Sequence, residues 1–234
     1  MYKRVLVKIS GEQLSGKHES GIDTAVAHYI AQEAKKVVNT GCQLVMIVGG
    51  GNMVRGAVVA GNGIKRVTAD QMGMLSGMIN AMALTDIFES EGIQTRCMSN
   101  IFAEQVTESY SYRAAEKHLE FGRVVIICGG IGRPYFTHDT AAVSLALELD
   151  CDFVIKATKV DGVYNKDPAK FKEAKRIDKM SYQKAVEDSS IGIMDKAALG
   201  LAMEQGMPVV ILDAMIHDNM VRVVAGESIG THIG

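Results

Sequence analysis

The 234-residue chain has no tryptophan, three prolines and four cysteines. So few prolines exclude a Pro-rich linker protein. Cys42, Cys97, Cys128 and Cys151 never approach C-x-x-C spacing, and three of them lie in apolar runs. A zinc or redox motif and a disulfide scaffold are therefore excluded, and reduced core thiols are expected. The six histidines form neither an H-x-x-x-H pair nor H-E-x-x-H, so no metal site is expected. Lys and Arg number 25 against 27 Asp and Glu, for a net charge of −2. Such a chain has no global positive field to collect DNA, RNA or an anionic membrane, whereas a small phosphorylated ligand needs only local cations. No apolar run reaches the roughly 18 residues of a membrane span. Met1-Tyr2-Lys3-Arg4 leads into a strand pattern rather than an apolar leader, so a cytoplasmic protein is expected.

What is present is an alternation of apolar β-rich runs with helical patterns. Strands are expected at Arg4–Ile9, Gln43–Val48, Gln94–Met98, Arg123–Cys128, Asp152–Lys156 and Pro208–Leu212. Helices are expected over Asp23–Val38, Ala69–Glu91, Tyr112–Leu119, Thr140–Leu149, Lys196–Gln205 and Asn219–Val224. Continuous apolar strands separated by helices imply a mainly parallel sheet covered on both faces, an α/β fold. Residues 157–180 are charged and turn-rich and break the pattern, yet no linker or internal repeat stands out. Met74, Met78 and Met82 recur every four residues beside the small row Gly73, Gly77 and Ala81, a pattern read equally as core or as a subunit interface.

Three strand ends carry loops suited to phosphate: Lys8-Ile9-Ser10-Gly11, Gly49-Gly50-Gly51-Asn52-Met53-Val54-Arg55-Gly56 and Gly129-Gly130-Ile131-Gly132-Arg133-Pro134. Glycine lets backbone N–H groups approach an oxyanion, and Lys8, Arg55 and Arg133 add charge. Gly11 to Lys17 also satisfies G-x-x-x-x-G-K, but His18 stands where a Walker A loop needs Ser or Thr. The dinucleotide pattern G-x-G-x-x-G is absent too. Lys156 and Lys159 flank Thr158 at another strand end, equally a solvated loop or part of a site. Asp152 begins a strand and Asp195 precedes a helix, as turn or cap residues do.

Lys8-Ile9-Ser10-Gly11, GGGNMVRG from Gly49, Asp70 within RVTADQMGML, PYFTHDTAA after Arg133 and KATKVDGVYNKDP from Lys156 together resemble the bacterial uridylate kinases of the amino acid kinase family. The resemblance spans essentially the whole chain. It implies one domain over residues 1–234, a three-layer αβα sandwich unrelated to P-loop kinases, with the nucleoside-monophosphate site mainly N-terminal and the ATP site mainly C-terminal. The implied reaction moves the γ-phosphoryl of ATP to UMP, giving UDP and ADP for pyrimidine nucleotide synthesis, with Mg²⁺ carried on the nucleotide. Position by position, Lys8, Ile9, Ser10, Gly11, Gly51, Arg55, Thr158, Tyr164 and Asp167 would bind ATP. Gly50, Asp70 and the run Ile131, Gly132, Arg133, Pro134, Tyr135, Phe136, Thr137 and His138 would bind UMP. Lys8 and Arg55 would be catalytic, with Asp152 orienting Lys8. Also implied are a homohexamer built as a trimer of dimers, GTP as activator, with Gly16–Gly21 matching the stretch involved, and UTP as inhibitor.

The chain departs from the family pattern GTGNPFFTTD at Ile131 and His138, which replace two threonines. Weaker or differently organised UMP recognition is expected. Two alternatives share the scaffold: a kinase for a small acid such as acetylglutamate, glutamate or carbamate, and a non-catalytic nucleotide-binding protein.

Overall fold

Both faces of the central strands are apolar, and this dictates a sheet with helices on each side. The computed structural model describes residues 2–54, 60, 63–166, 168, 170–187 and 194–234. In chain order the elements begin β1 (Arg4–Ile9), α1 (Gly11–Leu14), α2 (Thr24–Asn39), β2 (Gln43–Val48), α3 (Arg66–Ser90), β3 (Thr95–Ser99), β4 (Glu108–Ser109), α4 (Tyr112–Glu120) and β5 (Val124–Cys128). They continue with α5 (His138–Glu148), β6 (Phe153–Thr158), β7 (Val163–Tyr164), β8 (Arg176–Ile177), β9 (Lys179–Met180), α6 (Tyr182–Glu187), α7 (Lys196–Gln205), β10 (Val209–Asp213), α8 (Asn219–Val224) and β11 (Thr231–Ile233).

Among the described residues, nine strands form one sheet in the order β4-β3-β5-β2-β1-β6-β10-β11-β9. Its pairings are parallel except β10 with β11. Side chains alternate between two cores. Val5, Val7, Met46, Ile126 and Ile155 pack with α2, α3 and α8, while Leu6, Val45, Ile127 and Val154 pack with α4, α5 and α7. The expected α/β sandwich of three layers is the fold observed. Residues 157–180, expected as turns, contain the β7–β8 antiparallel hairpin and β9.

The methionine pattern on α3 resolves differently from a single stripe. Met74 and Met78 are buried, whereas Met82 is exposed and joins Leu75 and Ile79 on an outward apolar face. Residues eight apart are turned by about 80° around a helix, so Met82 rotates out of the seam that holds Met74. The expectation of uniformly buried cysteines also needs correction: Cys42, Cys128 and Cys151 are buried, but Cys97, on a strand next to the sheet edge, is partly exposed.

Candidate active site

Because β1, β2, β5 and β6 run parallel, their carboxyl ends deliver the loops after Ile9, Val48, Cys128 and Thr158 to one edge of the sheet. Ser10 caps α1, and its backbone N–H donates to Gln13 Oε1 at 3.1 Å. Gln13 Nε2 then donates to the Thr158 carbonyl at 3.0 Å, tying the first loop to the one after β6. Gly11 must be glycine, because a Cβ there would lie 2.5 Å from the Gly49 carbonyl oxygen and 2.7 Å from Gly51 N. The floor below is a buried pair of carboxamides. Asn80 Nδ2 donates to Asn52 Oδ1 at 2.7 Å, Asn52 Nδ2 donates back to Asn80 Oδ1 at 3.0 Å, and the second hydrogens reach the carbonyls of Gly49 and Gly21.

At the centre of the edge, Lys8 on β1 stands directly opposite Lys156 on β6. Two neighbouring ammonium groups repel, and Asp139 answers both: Oδ1 lies 3.0 Å from Lys8 Nζ and Oδ2 lies 2.6 Å from Lys156 Nζ. All three side chains are only 12–13 % exposed. Burial alone would push the Asp139 carboxyl up, yet the two lysines hold it below the usual carboxylate range. Burial pushes the Lys156 ammonium down; Asp139 opposes that shift and Lys8 adds to it. The carboxylate also sits in the first turn of α5, where the helix dipole favours negative charge.

That helix start is fixed by caps. Thr137 Oγ1 accepts from the N–H groups of Asp139 and Thr140 and donates to Asp195 Oδ2 at 2.5 Å. Asp195 also accepts from Thr140 Oγ1 and from Ala198 N, so one carboxylate caps α7 and braces α5. His138, at the first position of α5, fits where α3 has no side chain: a Cβ on Gly77 would lie 3.1 Å from His138 Nε2. The ring nitrogen Nε2 is enclosed and has no hydrogen-bond partner. Burial, with the Lys8 charge, lowers the His138 pKa to about 4, so the imidazole is neutral.

The remaining expected residues divide between neighbouring walls. Gly129, Gly130 and Gly132 all have positive φ and turn the loop after β5, which Asn100 Nδ2 holds through the Gly130 carbonyl at 2.6 Å. Asp70 on α3 accepts from Tyr135 N at 2.8 Å and pairs with Arg66 Nε at 2.7 Å, linking α3 to the segment from Ile131 to His138. Tyr135 and Phe136 are exposed on that segment. On the β6 side, Thr158 Oγ1 donates to the Val160 carbonyl at 2.6 Å, and Tyr164 OH donates to Asp161 Oδ1 at 2.7 Å. Arg55 and Asp167 lie outside the described residues.

Asp152 is not beside Lys8. It immediately precedes β6 at the opposite end of the sheet, where Oδ2 accepts from the N–H groups of Lys3 and Arg4 at 2.6 and 2.9 Å. In a parallel pair β1 and β6 begin together, so a residue just ahead of β6 cannot reach the end of β1 that carries Lys8. The carboxylate that does so is Asp139, to which the sequence reading assigned no role. In the sequence Asp139 is only an acid beside a helix start, as Asp152 is one beside a strand, and the fold is what separates them. Glu33, His217 and Asp218 converge closely enough to hold a metal ion, but the Lys36 ammonium already lies 2.5 Å from Glu33 and 2.8 Å from Asp218. A cavity of about 830 Å³ lies away from the lysines, between α3 and the β3–β4 edge.

Residues 3–213 match the model of the amino acid kinase family. The chain is similar to the UMP kinase from Bacillus anthracis, with 35 % identity, a TM-score of 0.94, and coverage of 100 % of this chain and 96 % of that one. It is also similar to the UMP kinase from Ureaplasma parvum, with 27 % identity, a TM-score of 0.92 and coverage of 100 % and 99 %. The uridylate kinase from Archaeoglobus fulgidus matches at 26 % identity and a TM-score of 0.76 over 100 % of both chains. By the extent of the match, this chain belongs to the amino acid kinase family.

Proposed function

We propose that this chain is a UMP kinase that transfers the γ-phosphoryl of ATP to UMP, giving UDP and ADP. The observation that carries the reading is the buried Lys8–Asp139–Lys156 cluster set between glycine loops at one sheet edge. ATP would lie along Lys8 to Gly11, Gly51, Thr158 and Tyr164, joined by Arg55 and Asp167. UMP would lie along Gly50, Asp70 and the segment Ile131–His138. One domain thus holds both nucleotides, the acceptor mainly on its N-terminal part.

Phosphoryl transfer passes through a loose transition state whose charge spreads over the moving group, so positioning and charge neutralisation do most of the work. Lys8 stabilises that charge, and N–H groups of the glycine loop after β2 brace the phosphates. A UMP phosphate oxygen is already an anion and attacks the γ-phosphorus without a base, while the bond to the bridging oxygen of ADP breaks. Asp139 is a positioning residue, because both of its oxygens are engaged by ammonium groups. Mg²⁺ carried on the ATP phosphates would shield their charge.

The outward face of α3, with Leu75, Ile79 and Met82 exposed, supports assembly with further copies of the chain, up to a hexamer. No helix among the described residues is long and apolar enough to cross a membrane. The reading extends to a cytoplasmic enzyme of pyrimidine nucleotide synthesis, activated by GTP and inhibited by UTP.

An ADP-release assay with UMP, CMP, dUMP and acetylglutamate tests the function. UMP is expected to support turnover, and Lys8→Ala should cost roughly 10²–10³ in kcat, as removal of a charge-stabilising donor does. Turnover with acetylglutamate but not UMP would transfer the chain to the small-acid branch. No turnover with any acceptor would favour the non-catalytic alternative.

A further inference from the structure

The sheet splits at the lysines. β1 stays paired with β2 as far as Ile9 and Val48, and β6 stays paired with β10 as far as Thr158 and Asp213, but the ladder between β1 and β6 ends at Lys8 and Lys156. β1 sits where the strand order turns, with β2 and β5 on one side and β6 and β10 on the other, so the split is the crevice in which an open α/β sheet holds its ligand.

A side chain takes over where the backbone rungs stop. Gln13 Oε1 accepts from Ser10 N at 3.1 Å, and Nε2 donates to the Thr158 carbonyl at 3.0 Å. These partners fix which end of the amide is which, since an N–H needs an acceptor and a carbonyl needs a donor. The bond to Ser10 is the ordinary return contact of a helix capping box. A capping box does not account for the bond from Nε2, which joins residues 145 apart in the chain, nor for a glutamine that is only 5 % exposed.

We propose that Gln13 is a positioning residue for ATP, whose buried carboxamide sets the separation of the loops that grip the donor nucleotide and so fixes ATP against Lys8. The proposal rests on the reading of this edge as the ATP site. The stretches assigned to ATP there, Lys8–Gly11, Gly51 and Thr158, come from three separate loops. Gly11 is pressed against the second loop, since a Cβ on it would lie 2.7 Å from Gly51 N, and Gln13, two residues on, ties it to the third. A shift of Gln13 is therefore felt in all three. Neither of its two bonds reaches the acceptor segment Ile131–His138, so its loss falls on ATP and not on UMP.

Gln13→Met tests the assignment, because methionine keeps the length and bulk of glutamine and loses both hydrogen bonds. Titration calorimetry with ATP and Mg²⁺, without UMP, reads binding in the absence of turnover, and steady-state kinetics reads KM for each substrate. Gln13→Met should bind ATP roughly tenfold more weakly, as loss of two net hydrogen bonds does, with a matching rise in KM for ATP and an unchanged KM for UMP. A glutamine with a merely structural role would lower the folded fraction, and hence kcat, and leave both KM values alone. That result, or native ATP affinity in a folded Gln13→Met, would overturn the proposal while leaving the ATP site in place. No ATP binding by the native protein would overturn the reading of the edge, and the proposal with it. If Gln13→Met does not fold, amide hydrogen exchange in the native protein decides. The Ser10 N–H, whose acceptor is Gln13 Oε1, should be protected and should gain protection when ATP binds. Rapid exchange at Ser10, or exchange that bound ATP leaves unchanged, would overturn the proposal.

Discussion

Lys8 and Lys156 occupy paired positions on β1 and β6, and the single carboxylate of Asp139 faces both ammonium groups, at 3.0 and 2.6 Å. Removing that carboxylate leaves two buried positive charges side by side. Asp139→Asn, which keeps the shape, should cost about 3–5 kcal/mol of stability and most of the kinase activity. Lys156→Met removes one partner of the repulsion and should cost less. Urea unfolding of the two variants reads the difference, and equal losses would contradict the shared role of Asp139.

The neutral His138 makes stability depend on pH. Its folded pKa is about 4, below the ~6.5 of an unfolded histidine. Between those values the unfolded chain binds a proton that the folded chain refuses, so stability is complete above pH ~6.5 and falls as pH drops towards 4, by about 3 kcal/mol at most. Asp139, also depressed, adds a further loss only when pH falls below the usual carboxylate range. Urea midpoints at pH 5 and pH 7.5 should differ in the native chain and converge in His138→Thr. An unchanged slope in that variant would place its origin elsewhere.

His138 and Gly77 should behave as one unit. An added Cβ at Gly77 meets His138 Nε2 and the Val48 carbonyl oxygen, each at 3.1 Å. Gly77→Ala should therefore destabilise by about 1–3 kcal/mol, as overpacking does. The smaller side chain of His138→Thr should recover part of that, because only the backbone contact remains. A double-mutant cycle measures the coupling, and strict additivity would show that the ring and the helix are independent.

Asp152 supplies a negative control. Its carboxylate accepts from Lys3 and Arg4 N–H groups at the far end of the sheet. Asp152→Ala should lower stability by about 1 kcal/mol and leave kcat with UMP unchanged. A large drop in kcat in a folded Asp152→Ala would restore the role that the sequence pattern suggested.

The parallel sheet was legible because Leu44–Val48 and Val124–Cys128 are continuous apolar runs, a pattern that burial on both faces demands. The glycine loops were legible for a related reason, since they stand where such strands end. The partner of Lys8 was not. Asp152 and Asp139 are both acids next to secondary structure, and only the register of β6 against β1 separates the one that reaches the site from the one 13 residues further along the chain. The two-residue strands β7, β8 and β9 had no periodicity to read, because so short a segment shows no alternation. The seat of His138 over Gly77 depends on how α3 crosses α5, which neither segment encodes alone.

The reciprocal carboxamides of Asn52 and Asn80 carry one last implication. Each amide both gives and receives, so the pair matches only when donor faces acceptor on both sides. Hydrolysis of either amide to a carboxylate, the ordinary chemical ageing of asparagine, would set oxygen against oxygen and strip a donor from the Gly49 or Gly21 carbonyl. A carboxylate at either position should therefore loosen the floor of the glycine loop and weaken nucleotide binding before the fold is lost.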